Sequence, residues 1–188
     1  MTSGVIKLSA DEIRARAMSL DAGCRVLLSG AIYTARDAAH RRIFEMLDRG
    51  EKLPFELSDA VIYYAGPTPG VNGRPVGACG PTTSSRMDGF TPRILTLGVA
   101  AMIGKGERSI EVERALISSG AVYFCAVGGA GALIAKSIVA AEEIAFSDLG
   151  CESVKRLIVS DMPLTVGISP NGGNIFRDGR EKYRNKQI

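Results

Sequence analysis

Apolar positions fall into short blocks separated by turn residues, and the period within each block assigns most of them an element. Ser9-Ala-Asp-Glu12 is a capping-box pattern, so a short helix should follow it and end near Gly23. Residues 24–29 (CRVLLS) form an apolar run of buried-strand length that Gly30 breaks. Thr34 is placed to cap a second helix. Ala39, Ile43, Met46 and Leu47 recur there at helical spacing, Arg36 falls in its first turn, and Gly50 closes it. Residues 60–65 (AVIYYA) read as a strand.

The pattern then lapses. Residues 66–90 hold five glycines before Pro81, four prolines and almost no apolar periodicity. A loop of that length is functional or disordered, and the apolar elements close on both sides argue against disorder. Residues 91–102 are apolar and predict a helix, with Pro92 tolerated in its first turn. Gly104-Lys105-Gly106 follows, then a helix over 109–118 and a strand over 121–127. Gly128-Gly129-Ala130-Gly131 leads into a predicted helix through Ala141. Residues 157–160 and 165–169 read as strands, and Asn171-Gly172-Gly173 is a hairpin signal between the second of these and Ile175. No repeat or linker divides the chain. The expectation is one compact α/β domain over residues 1–188, with α+β left open because periodicity does not fix topology.

Composition narrows the function classes. With 188 residues, 46% apolar and 23% charged, the chain can bury a sizeable single core. The net charge of +3, the 6% aromatic content and the lack of Trp argue against a nucleic-acid partner. The basic residues cluster only in a tail over 177–186, which reads as a solvated terminus. No apolar run reaches the roughly eighteen residues of a membrane span. Residues 1–13 lack the basic start and apolar core of a signal peptide, so the cytosol is the expected compartment. Cys24, Cys79, Cys125 and Cys151 contain no CxxC pair and suggest neither a zinc site nor a compact disulfide framework. Cys79, beside the Gly-rich loop, is the thiol to test for reactivity. The single histidine, His40, sits beside Arg41 and Arg42 and reads as a surface or packing residue rather than a ligand.

The chemistry concentrates around residues 80–90. Gly80-Pro81 followed by Thr82-Thr83-Ser84-Ser85 has the form of a helix start, where free amides and the helix dipole make an anion site. Arg86, four residues after Thr82, would share its face and could grip a carboxylate with two hydrogen bonds. A plain capped helix with a solvent-exposed Arg accounts for the same residues; the Gly-rich approach favours a site. Lys105, between two glycines, is either presented to an anion or part of a flexible turn. Gly128–131 only loosely resembles a phosphate-binding turn, and no GxxxxGK[ST] motif is present. If Arg36, Arg86 and Lys105 converge, a small dicarboxylate is the natural ligand.

The segments Thr34-Ala-Arg-Asp-Ala-Ala-His40, Tyr63-Tyr-Ala-Gly-Pro67, Gly80-Pro-Thr-Thr-Ser-Ser-Arg-Met-Asp88, Gly104-Lys-Gly106 and Gly128-Gly-Ala-Gly131 resemble, in order and spacing, the C-terminal domain or β subunit of class I fumarate hydratases and L-tartrate dehydratases. The Gly80 to Asp88 motif is the specific one. The resemblance implies a swivelling β/β/α domain and a hydro-lyase that adds or removes water across a C–C bond of a dicarboxylate. It implies a [4Fe–4S] cluster bound by three cysteines of a partner α subunit, in an α2β2 assembly, with no metal ligand in this chain. By the same resemblance Thr82 is the proposed catalytic base, and Arg36, Arg86 and Lys105 bind substrate carboxylates. A threonine hydroxyl is a poor base unaided. The resemblance places its helpers, an Asp and a His, on the other subunit. The expected reaction is reversible hydration of fumarate to L-malate, with conversion of L-tartrate to oxaloacetate as the near alternative. A standalone dicarboxylate-binding protein is the remote one, and it predicts micromolar binding by the chain alone.

Overall fold

β2 (Arg25–Thr34) organises the sheet in the computed structural model, which describes residues 4–184. One edge of β2 pairs in parallel with β1 (Ile6–Ser9) and, further along, with β3 (Val61–Tyr63). Its other edge runs antiparallel to β7 (Val154–Ile168). β3 continues in parallel to β4 (Ala101–Gly104), and β4 to β5 (Val122–Cys125). β7 then returns antiparallel to β5, so β2, β3, β4, β5 and β7 are joined edge to edge in a closed ring. β6 (Ile138–Ala145) adds to the outer part of β7.

Closure explains why the central strands carry no polar alternation. β3 and β4 are buried at every position, as expected of strands covered on both faces. Val61, Tyr63, Ala101, Ile103, Val122 and Phe124 join Val26, Leu28, Leu157 and Val166 in one apolar cluster. Their neighbours Ile62, Met102 and Tyr123 face a second cluster with the helices. That second face is covered by α2 (Asp37–Asp48), α3 (Thr91–Thr96) and α4 (Ile110–Ser119), through Ala39, Ile94, Leu95, Val112 and Leu116. α1 (Ile13–Arg16), α5 (Gly131–Ala135) and α6 (Ile175–Arg184) complete a compact mixed α/β domain. No helix among the described residues is long and apolar enough to cross a membrane.

Several expectations need correction. The capping box at Ser9 forms, but the helical run it opens is short and mostly 3-10 in character. Gly30 does not break β2. It takes φ +113° and carries a register shift against β7, with Leu28 opposite Met162 and Gly30 opposite Val159; this is a bulge that glycine permits. The predicted strands over 157–160 and 165–169 are one strand, β7. Asp161, at φ +48°, donates its amide to Ser29 Oγ (2.9 Å), so the interruption at Asp161 and Pro163 is absorbed by the bulge. Thr34 does not cap α2. It ends β2, fully buried, and accepts from the Lys155 amide (2.9 Å); Arg36 is the N-cap. The predicted helix over 91–102 ends at Thr96, Gly98 turns with φ +91°, and the rest is β4. The helix expected through Ala141 stops at Ala135 and the chain becomes β6. Asn171-Gly172-Gly173 turns the chain from β7 into α6, with a single bridge from Ile168 to Asn174, rather than between two strands. The basic tail, as far as it is described, is α6, with Arg177 and Arg180 paired to Glu113 and Glu107. Its end at Lys186 and the first three residues of the chain lie outside the described residues.

Candidate active site

The carboxyl ends of β2, β3, β4 and β5 point the same way, which is where parallel sheets gather their loops into a binding crevice. The loop over 66–90 folds across these ends. Pro81 bridges to Ala65, just past β3. The Thr82 amide donates to the Tyr64 carbonyl (2.7 Å), and Thr83 bridges in parallel to Lys105, just past β4. Ser84 closes the junction: its amide donates to the Lys105 carbonyl (2.9 Å) and its hydroxyl accepts from the Lys105 amide (3.0 Å). The Tyr123 hydroxyl, from β5, bridges Ser84 Oγ (2.9 Å) and the Gly106 carbonyl (2.8 Å). Thr82 and Lys105 are thereby held on adjacent extended segments. The Thr82 hydroxyl, half-buried, takes no hydrogen-bond partner among the described residues. Lys105 runs over Gly128, where a Cβ would lie 3.2 Å from its Cδ, so that glycine makes room for the side chain.

α2 positions a second cation at its start. Arg36 is its N-cap, and its Nη2 lies 3.3 Å from Glu152 Oε1, while Glu152 Oε2 accepts from the Ala38 amide (3.2 Å). Arg36 Nε is buried without a hydrogen-bond partner among the described residues. Gly66 packs against this side chain; a Cβ there would come within 3.0 Å of Arg36 Nη1 and 3.1 Å of the Cys151 carbonyl. Arg86 meets α2 as well. Its Nε donates to Asp37 Oδ1 (3.0 Å) and its Nη2 lies 2.8 Å from Asp37 Oδ2.

Behind the motif lies a buried polar network. Arg108 is wholly buried; its Nε donates to Asp88 Oδ1 (2.6 Å) and its Nη2 to Thr91 Oγ1 (2.7 Å). Asp88 also accepts from the Ser109 amide (2.7 Å) at the start of α4. The guanidinium lies against the rings of Tyr64 (5.3 Å) and Tyr123 (5.1 Å). Burial works against its charge, but Tyr64 and Asp88 outweigh that and raise its pKa. His40 is fully buried between Tyr64 and Phe90, with Nδ1 2.9 Å from the Arg36 carbonyl. Burial pushes its pKa down to about 4, so the ring is neutral at pH 7 and Nδ1 carries the proton that this carbonyl accepts.

Arg36, Thr82, Arg86 and Lys105 are therefore brought around one set of strand ends, but not by the expected device. The helical turn over Ser84–Met87 is a four-residue 3-10 turn whose N-cap is Thr83. Thr82 precedes it in extended backbone, so no helix dipole is aimed at it and it shares no helical face with Arg86. Cys79 is also not a reactive thiol: it is buried, and burial lifts its pKa to about 12. Among the described residues no group of three His, Cys, Asp or Glu side chains is placed to hold a metal ion, and the cysteines do not form a cluster ligand set. Pattern reading missed Asp37, Glu152, Asp88 and Arg108. Asp37 had a signal, an acid in the first helical turn beside Arg36; Glu152 had none.

A family described as "Fumarase C-terminus" matches residues 2–179. The chain belongs to this family. It is 40% identical over 173 residues to "Putative L(+)-tartrate dehydratase subunit beta" of Methanocaldococcus jannaschii, a match covering 89% of each chain. It is 36% identical to "Fumarate hydratase 2" of Leishmania major, over 91% of this chain but 30% of that protein. Against "Fumarate hydratase class I, anaerobic" of Escherichia coli it is 35% identical, over 88% of this chain and 31% of that protein. The chain thus spans about a third of the fumarate hydratases it matches, and most of a β subunit. Within the fumarase C-terminus family the crevice at the strand ends is the feature that needs a functional account.

Proposed function

We propose that this chain is the β subunit of a hydro-lyase that reversibly hydrates fumarate to L-malate, as a single swivelling β/β/α domain that completes its active site with a separate α subunit. The observation that carries the reading is the bridging of Thr83 and Ser84, next to Thr82, to Lys105 at the strand ends, with Arg36 at the start of α2 and Arg86 paired to Asp37 of the same helix. In this reading the three cations bind the two carboxylates of a four-carbon substrate. They also stabilise the extra negative charge that develops when a proton leaves the carbon beside a carboxylate. Thr82 is the group that takes that proton. Its hydroxyl has no competing partner among the described residues, and Lys105 on the adjacent segment supplies positive field. A neighbouring acid/base group must come from the partner.

The [4Fe–4S] cluster belongs to the α subunit in this proposal, because the cysteines here do not form a ligand set. Lewis-acid assistance to the departing hydroxyl is the partner's contribution, and no step assigned to this chain passes through it. A separate partner is supported by the β-subunit relative of matching length. The α2β2 assembly and a cytosolic setting are parts of the same proposal; the four free thiols are consistent with a reducing compartment.

L-tartrate, the substrate in that relative's name, is the second substrate reading, since either dicarboxylate presents the same charges. Assaying the anaerobically reconstituted complex on fumarate, L-malate and L-tartrate decides between them. Turnover of fumarate and L-malate is expected. Turnover of L-tartrate alone would move the assignment to the second reading, and turnover of neither would remove the hydro-lyase proposal.

A further inference from the structure

We infer that Asp37 is the positioning residue that sets how Arg86 is presented to substrate; the inference rests on the carboxylate-binding role proposed above for Arg86. Asp37 lies in the first turn of α2, where the exposed amides favour a negative charge. Its two oxygens face Arg86 Nε and Nη2 at 3.0 and 2.8 Å, a paired contact across 49 residues of sequence. The Asp37 side chain is the more enclosed partner, 23% exposed against 48% for Arg86. The anchor is therefore on the helix, and the guanidinium is the part that reaches outward.

This contact has a stereochemical consequence. A guanidinium has five N–H groups in a fixed plane. Asp37 Oδ1 takes the Nε–H, and Oδ2 lies 2.8 Å from Nη2 as a charge contact without hydrogen-bond geometry, so Asp37 occupies the edge most often used for a two-point carboxylate grip. The end of the fork, formed by Nη1 and the outer Nη2–H, stays available. Arg86 thus receives a substrate carboxylate end-on, with its plane fixed by a carboxylate of its own chain. Arg36 and Asp37 are adjacent in sequence: Arg36 caps α2 and pairs with Glu152, and Asp37 ties Arg86 to the same helix start. The two proposed carboxylate ligands are held at a set separation by one turn of α2, which selects for the length of the dicarboxylate.

The test is Asp37→Asn in the reconstituted complex, with Asp37→Glu as the conservative variant. Charge-assisted hydrogen bonds of this kind predict a KM for the dicarboxylate raised about tenfold or more in Asp37→Asn. The kcat should stay within about threefold and the thermal midpoint should be nearly unchanged, with KM partly restored in Asp37→Glu. In the isolated full chain, the Arg86 Nε–H resonance should be observable and slow to exchange in the wild type, and lost in Asp37→Asn. An unchanged KM would overturn the inference, as would a fall in kcat and thermal midpoint together without a KM effect, which marks a purely structural contact. If the wild-type complex turned over no dicarboxylate, the functional reading would fall instead. An Arg86 resonance unchanged by Asp37→Asn would overturn the positioning role whatever the assay gave.

Discussion

At the scale of single residues, the site depends on backbone that leaves no room for side chains. A Cβ on Gly104 would overlap Ser84 Oγ and come within 2.9 Å of Tyr64 Cδ2. Ser84 is the residue that locks the Thr82 segment to Lys105, so Gly104→Ala must displace the junction itself. We expect a loss of about 1–3 kcal/mol in denaturant unfolding, the usual cost of overpacking, with turnover of the reconstituted complex falling far more. Gly89→Ala, where a Cβ meets nothing within 4 Å, is the control and should retain both. His40 is a second residue-scale case. Its folded pKa of about 4 lies below the unfolded value of 6.5 because burial disfavours the charged ring. Above pH 6.5 both states are neutral. Between pH 6.5 and 4 the unfolded chain takes up a proton that the folded one refuses, so stability falls as pH is lowered through this window. The full loss amounts to about 3 kcal/mol. Unfolding curves at pH 7 and pH 4.5 should show this acid sensitivity in the wild type and much less of it in His40→Gln.

At the scale of elements, the loop over 66–90 is held by pairs that connect it to α2, β4, β5 and the start of α4. Arg108 is the deepest of these anchors. Replacing it by Met strands the Asp88 carboxylate without its ion partner, which at a buried pair costs about 3–5 kcal/mol. A denaturant midpoint close to wild type in Arg108→Met would show that the network does not secure the loop. Elements with one dominant period were legible in the chain: the body of α2 from Ala39, Ile43 and Leu47, α4 as a helix over 109–118, and the apolar strands β3 and β5. Errors arose where local pattern and tertiary pairing disagree. The Ala- and Glu-rich stretch of β6 has helical propensity but is drawn into the sheet by β7. The apolar run after Pro92 hides a helix, a turn and a strand, because β4 is buried on both faces and shows no alternation. For the site, the motif residues were legible one by one. Their mutual arrangement was not, because it rests on pairings such as Asp37 with Arg86 and Thr83 with Lys105, which span tens of residues.

At the scale of the whole molecule, the closed strand ring provides a rigid base and the crevice at its carboxyl ends presents cations outward. Arg86 is about half exposed, and among the described residues no group of three His, Cys, Asp or Glu side chains is placed to hold a metal ion. That combination fits half of a shared active site better than a self-contained one. The relative of matching length is a β subunit, whereas the fumarate hydratases are about three times as long as the matched segment. The most direct test is a complementation titration under anaerobic conditions, in which this chain is added to a cluster-loaded α subunit and fumarate hydration is followed. The account predicts negligible rate from either chain alone, a rate that saturates at one β per α, and no rate when Thr82→Ala is added in place of the wild type, although that variant assembles normally. Full activity from the α subunit alone, or equal rescue by Thr82→Ala, would contradict it.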